Sequence, residues 1–262
     1  MPPTVSARGL ALLFCSFTAT AHNFWIEPSR YRFDPDEPLV LTLREGPGFK
    51  GNSIPYIDAL VQSFRIYDAS REHPVEAQMG DDPAARIDLP GRRGLAIAYL
   101  SRGLFVELKP QKFKDYLLEE SMDYIMPHLK ARGLEGKKSR EFYVRCAKTL
   151  IRDEEGSTRD LFDYHFGMPL EIIPVRDPYG PDTKEDLPIL VLFNGKPIDG
   201  VGVSVLLKGA ARAPVVVRTK NGRALVKLNA PGEWLIKTVH MVEYEPADAD
   251  WISYWASLTI KR

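Results

Sequence analysis

Cysteine is scarce in this sequence. Cys15 and Cys146 are the two present, and Cys15 lies in an apolar leader that is expected to be removed. A single remaining thiol cannot close an internal disulfide. A helical register around Cys146 would align it with Phe142 and Leu150, which predicts a buried thiol. No activating base stands beside it in the sequence, so cysteine catalysis is not indicated. Net charge is absent as well, with 35 Lys and Arg against 35 Asp and Glu. A balanced chain without blocks of like charge has no electrostatic footprint for nucleic acid or an anionic membrane.

Long apolar runs are also missing. The longest lies in the leader and falls short of the roughly 20 residues that span a bilayer. The mature chain is therefore expected to have no membrane span. Residues 1–21 have the organisation of a secretory signal. Arg8 gives a positive start, "GLALLFCSFTA" an apolar centre, and Ala19 and Ala21 the small residues preferred before a cut. Phe14 before Cys15 is too bulky for a lipoprotein site. The expected product is periplasmic or secreted and begins at His22.

Common catalytic signatures do not occur: no G-x-S-x-G, no Walker A, no H-E-x-x-H and no C-x-x-C. "PGFKGNS" has glycines but no helix pattern after it, so it is not read as a phosphate cradle. The acidic neighbours Glu119–Glu120 and Asp153–Glu154–Glu155 are adjacent, do not face each other on a helix, and are expected at the surface.

What is present is mostly β pattern. From residue 22 to 110, "LVLTLREG", "SFRIYDA" and "GLAIAYLSRGLFVELK" alternate between Pro, Gly and Asp clusters, as in a β-sandwich. Residues 111–152 read as a helical insertion. Its first part carries the stripe Phe113, Tyr116, Leu117, Met122, Tyr124 and Ile125, broken or kinked at Pro127. "SREFYVRCAKTLIR" predicts a second helix with Ser139 as its N-cap. The insertion reads as a docking element or as a cover for an open sheet edge; the cover is favoured, since its stripe needs something to pack against. Residues 153–186 read as an extended strand and linker. Residues 187–262 read as an immunoglobulin- or prealbumin-like sandwich of six to seven strands, with turns at Asn194–Gly195, Asn221–Gly222 and Pro231–Gly232. In the last strand Tyr254, Ala256, Leu258 and Ile260 face one way, and Trp251, Ser253, Trp255 and Ser257 the other. The fold class is mainly β, with two sandwich-like regions and a helical insertion.

The chemistry falls to five histidines, no two at close metal-ligand spacing. His73 and His128 read as surface or structural residues. His165, between aromatics in "FDYHFG", is a packed histidine or a ligand. His22 stands apart, because cleavage after Ala21 would give it a free amine beside its imidazole. An α-amino group has a pKa of about 7.7–8.0, so a metal can displace its proton near neutrality. One further imidazole would complete a three-nitrogen histidine brace, which suits Cu(II) best. His240 is the candidate, on one strand face with Trp234, Ile236 and Thr238. An Asp or Glu could join as a further ligand; Glu27 and Glu243 are near in sequence, but the pattern specifies neither.

"AHNFWIEPSRYRFDPDEPLVLTLREGPGFKG" resembles the start of exported bacterial proteins of a domain of unknown function, often labelled NikM-like or nickel-uptake-like, which typically begin "AH-x-F-W-[LI]-E-P". "SREFYVRCAKTLIR", "GMPLEIIPVRDPY" and "WLIKTVHM…DWISYWASLTI" are similar to its later landmarks. The resemblance spans nearly the whole chain after the leader. It implies a periplasmic protein associated with transition-metal uptake, and it maps onto His22 and His240. It also implies a β-rich architecture of two parts with a helical insert.

Three functions are carried forward. The first is a periplasmic metal-binding protein holding copper, or nickel or cobalt, for a transporter or outer-membrane receptor. The second is a carbohydrate- or protein-binding sandwich that uses Trp251, Tyr254 and Trp255 as a surface platform. The third is an oxidative enzyme, which would need an open coordination position and a substrate surface.

Overall fold

The computed structural model describes residues 22–34, 36–68, 71–88, 94–153, 158, 161–180, 186–211 and 213–262. The expected leader, 1–21, lies outside the described residues. Before the helical part come β1 (Asn23–Pro28), β2 (Leu39–Gly46), β3 (Asn52–Ile54), β4 (Val61–Tyr67), β5 (Glu72–Pro74), β6 (Ala85–Ile87), β7 (Leu95–Ser101) and β8 (Leu104–Leu108). Two short helices follow, α1 (Pro110–Glu119) and α2 (Met126–Ala131), and then β9 (Ser139–Ile151) and β10 (Leu170–Pro174). The remainder is β11 (Leu187–Phe193), β12 (Lys196–Pro197), β13 (Gly202–Leu207), β14 (Val215–Arg218), β15 (Arg223–Val226), β16 (Glu233–Glu243) and β17 (Trp251–Lys261).

Among the described residues these strands form three sheets. A nine-stranded sheet runs β14-β13-β16-β17-β9-β7-β4-β5, with β8 also paired to β9. It takes strands from both sides of the helices, so the two sandwich-like regions share it. One face is covered by β10, β11, β12 and β15, through a core that includes Val144, Cys146, Leu150, Ile172, Ile189 and Ile236. The other is covered by β1, β2, β3 and β6, where Phe24, Ile26, Leu41 and Leu43 meet Ile97, Ala147 and Ile151. The fold is mainly β and sandwich-like, as the alternating patterns indicate.

The second expected helix is a correction. Residues 139–151 form β9, the strand that joins the halves: β17 pairs with it in parallel, and β7 and β8 antiparallel. Ser139 is no N-cap; it pairs with Leu108. From Val144 to Ile151 β9 is buried on both faces, so burial there does not alternate. Cys146 is buried, as expected, but through strand packing; burial pushes its thiol up to about 12.

The helical layer is shorter than expected. Pro127 opens α2, where a proline at the first turn costs no helical hydrogen bond. The stripe is real: Phe113, Tyr116, Leu117, Met122 and Ile125 pack on Val239, Met241 and Trp251. Burying Phe113 there contributes roughly 1.5–3 kcal/mol. Two acidic residues expected at the surface are inside. Glu120 accepts two hydrogen bonds from Lys237 Nζ, at 2.6 and 2.7 Å, tying the end of α1 to β16, and Asp153 is buried. The turn signals hold, with positive φ at Asn194 and Gly195 (49° and 73°) and at Asn221 and Gly222 (51° and 69°).

The two faces of β17 are those expected, but Trp251 and Trp255 form no surface platform. Trp251 is fully buried, stacked on Phe113 with the Arg132 guanidinium 4.9 Å from its ring centre. Trp255 stacks on Tyr116. The same apolar stripe that makes α1 pack covers the indoles.

Candidate metal centre

β1 and β2 pair antiparallel, with Asn23 opposite Gly46 and Phe24 opposite Glu45. His22 therefore continues the β1 line and stands diagonal to Glu45, within reach of a long side chain. The His22 Nδ1 lies 3.7 Å from Glu45 Oε1. The same oxygen is 2.7 Å from Arg145 Nη2. Arg145 rises from β9 on the face that β1 covers. Its guanidinium carbon lies 4.7 Å from the Phe24 ring centre and 5.4 Å from that of Tyr143. Its backbone N–H donates to Ser101 Oγ at 2.8 Å.

The local sequence explains the arrangement. Alternation along "LVLTLREG" places Leu39, Leu41, Leu43 and Glu45 on one side of β2. The first three enter the core; Glu45, at the rim, meets Arg145 of β9. The "GPGFKG" turn then folds back tightly: a Cβ on Gly51 would stand 2.4 Å from Glu45 O and 2.8 Å from the Trp25 ring. The glycines are needed for that close approach, and β3 follows them.

His240 lies elsewhere. On β16, Trp234 and Ile236 join the core beneath β10 and β11, and His240 continues that face against Phe193, with ring centres 4.6 Å apart. The strand face read for His240 is the one it has. β1 covers the opposite face, however, so the sheet stands between His240 and His22. The structure does not bring the two imidazoles together. Its Nδ1 shares a 2.9 Å hydrogen bond with the Tyr124 hydroxyl, and burial pushes its pKa down to about 4. His165 sits on an exposed loop between Tyr164 and Phe166, whose rings pack on Tyr67. Among the described residues no three His, Cys, Asp or Glu side chains group as a metal site.

The acidic residues near the histidines in sequence are committed elsewhere. Glu27 holds Arg44 and Lys208, both at 2.9 Å, and these cations keep its carboxyl below the usual range against the opposing effect of burial. Glu243 pairs with His128 at 2.7 Å. Glu45 and Arg145 were not singled out by the sequence. The signal that finds Glu45 is the β1–β2 hairpin register, which sets the end of "LTLRE" beside the start of "HNFW".

Two donors bound to one ion, each at about 2.0–2.2 Å, stand within roughly 4.3 Å of each other. The pair His22 Nδ1 and Glu45 Oε1 meets that limit. Nδ1 is also the ring nitrogen that can close a six-membered chelate with the residue's own α-amine. The side chains offer two donors, and a freed amine would add a third. The arrangement fits a small divalent cation with nitrogen preference.

The profile of a family described as "Domain of unknown function (DUF4198)" matches residues 19–242 of the chain. No curated protein and no solved structure matches it.

Proposed function

The chain belongs to the DUF4198 family, and on that premise we propose that it is an exported transition-metal-binding protein, loaded at His22 once the leader has been cut after Ala21. Copper is the favoured metal, with nickel and cobalt as alternatives, because a donor set rich in nitrogen follows the first-row affinity order. The protein would hold the ion in the periplasm, in the manner the NikM-like label suggests, and pass it to a metal transporter or an outer-membrane receptor. The role is capture and delivery rather than turnover.

The observation that carries this reading is the direction of one ring. His22 Nδ1, the nitrogen able to chelate together with the terminal amine, faces a carboxylate oxygen at 3.7 Å. Among the described residues no helix is long and apolar enough to cross a membrane, which is consistent with a mature chain without a helical span.

The test is amino-terminal sequencing of the exported chain, followed by competition titration with Cu(II) and Ni(II). A chain beginning at His22 should bind Cu(II) at one equivalent, and His22→Ala should weaken it by about 100-fold or more. A different first residue, or tight binding that survives His22→Ala, would overturn the reading.

A further inference from the structure

We propose that Glu45 is itself the oxygen donor of the terminal metal site, and that Arg145 is the residue that positions it. This rests on the reading of His22 above and adds a ligand that the histidines alone do not supply.

Three features meet at one oxygen. Glu45 Oε1 faces His22 Nδ1 at 3.7 Å and Arg145 Nη2 at 2.7 Å. Glu45 is held by the β2 ladder between Phe24 and Asn52, so its backbone is fixed on both sides. Arg145 has a side chain only 10% exposed and packs over the Phe24 ring, so it is not a mobile surface cation. A carboxylate has about four lone-pair directions on its two oxygens. It can accept from a guanidinium and ligate a cation at the same time. Ligating carboxylates are commonly held by such a second hydrogen bond, and the planar, permanently charged guanidinium suits that task.

The resulting set is amine, imidazole and carboxylate: two nitrogens and one oxygen. It favours a divalent first-row ion, Cu(II) above Ni(II) and Co(II). It contains no thiolate or thioether, the donors that select Cu(I). The ligand class is therefore the oxidised, divalent ion.

The experiment is Cu(II) competition titration with electron paramagnetic resonance, on chains that begin at His22. Glu45→Gln keeps the shape and removes the anionic donor; it should weaken Cu(II) by about 10- to 100-fold and alter the Cu(II) spectrum. Because that change takes the anionic partner from Arg145, the double variant Glu45→Gln/Arg145→Gln is measured with it, and should show the same loss. Arg145→Gln alone keeps all donors; it should bind more tightly than Glu45→Gln while its spectrum shows a less uniform site. A chain with one residue before His22 separates the two claims. If that chain binds as tightly as the processed one, the terminal-amine reading fails. If only the processed chain binds tightly, and both Glu45→Gln variants match it in affinity and spectrum, the terminal site stands and Glu45 is not its donor.

Discussion

Tyr116 of α1 lies flat against Trp255 of β17, with ring centres 5.6 Å apart and planes within 1° of parallel. The Tyr116 hydroxyl donates to Glu141 at 3.0 Å. Ser253 Oγ donates to the same carboxylate, and the Trp255 indole donates to Ser253 Oγ at 2.9 Å. Among the described residues Glu141 Oε2 has no hydrogen-bond partner. Burial outweighs the hydroxyls and pushes the carboxyl up to about 7.

Glu141 should therefore make stability depend on pH. Its folded pKa is raised above the ordinary 4.5, so the folded state holds the proton more tightly than the unfolded chain. The contribution is full below pH 4.5 and is lost as pH rises through about 7. It amounts to about 3 kcal/mol across that window. Glu141→Gln should flatten the dependence, read as urea midpoints at pH 5 and pH 8. An unchanged difference between those midpoints would show that Glu141 does not titrate as described.

Lys148 of β9 is fully buried under Phe166, 4.9 Å from its ring centre, and among the described residues Nζ has no hydrogen-bond partner. Burial pushes its pKa down to about 8, against the pull of Glu171. The sign is opposite to that of Glu141: stability is full above the ordinary 10.5 and is lost as pH falls through about 8. At pH 7 the ammonium is a cost. Lys148→Met should raise stability at pH 7 by about 1–3 kcal/mol, and by less at pH 10. Glu171 should tolerate the change, because it accepts the backbone N–H groups of Phe166 and Met168. A less stable variant at pH 7 would mean that the amine has a role in the fold.

Tyr124 closes an open strand edge. β13 pairs with β16 only as far as Val203 opposite Thr238. Beyond that point the Tyr124 hydroxyl accepts from Met241 N at 3.0 Å and faces Met241 O at 3.3 Å and His240 Nδ1 at 2.9 Å. A side chain stands where a strand would be. Tyr124→Phe should cost about 1–2 kcal/mol and speed exchange of the Met241 amide. Unchanged exchange at that amide would remove the edge-capping role.

Much of the fold was legible because one-sided strands alternate. "LVLTLREG" is β2 from end to end, and the two faces of β17 divide as its side chains suggest. The pattern of β9 is ambiguous for a definable reason. Phe142, Cys146 and Leu150 are four apart, a spacing that suits one face of a helix and one face of a strand equally. Burial on both sides removed the alternation that would have decided. Alternation along β16 reports the face of His240, but no local pattern reports which layer covers that face. The partnership of His22 with Glu45 lies in the β1–β2 register, and that of Glu45 with Arg145 in contacts 100 residues apart in sequence.

In the function proposed above, removal of the leader is what makes the site. Cu(II) affinity is therefore to be compared in two chains that differ by one residue, one beginning at His22 and one retaining Ala21. The expected result is a loss of about 100-fold or more when Ala21 blocks the amine. Equal affinity in the two chains would contradict it.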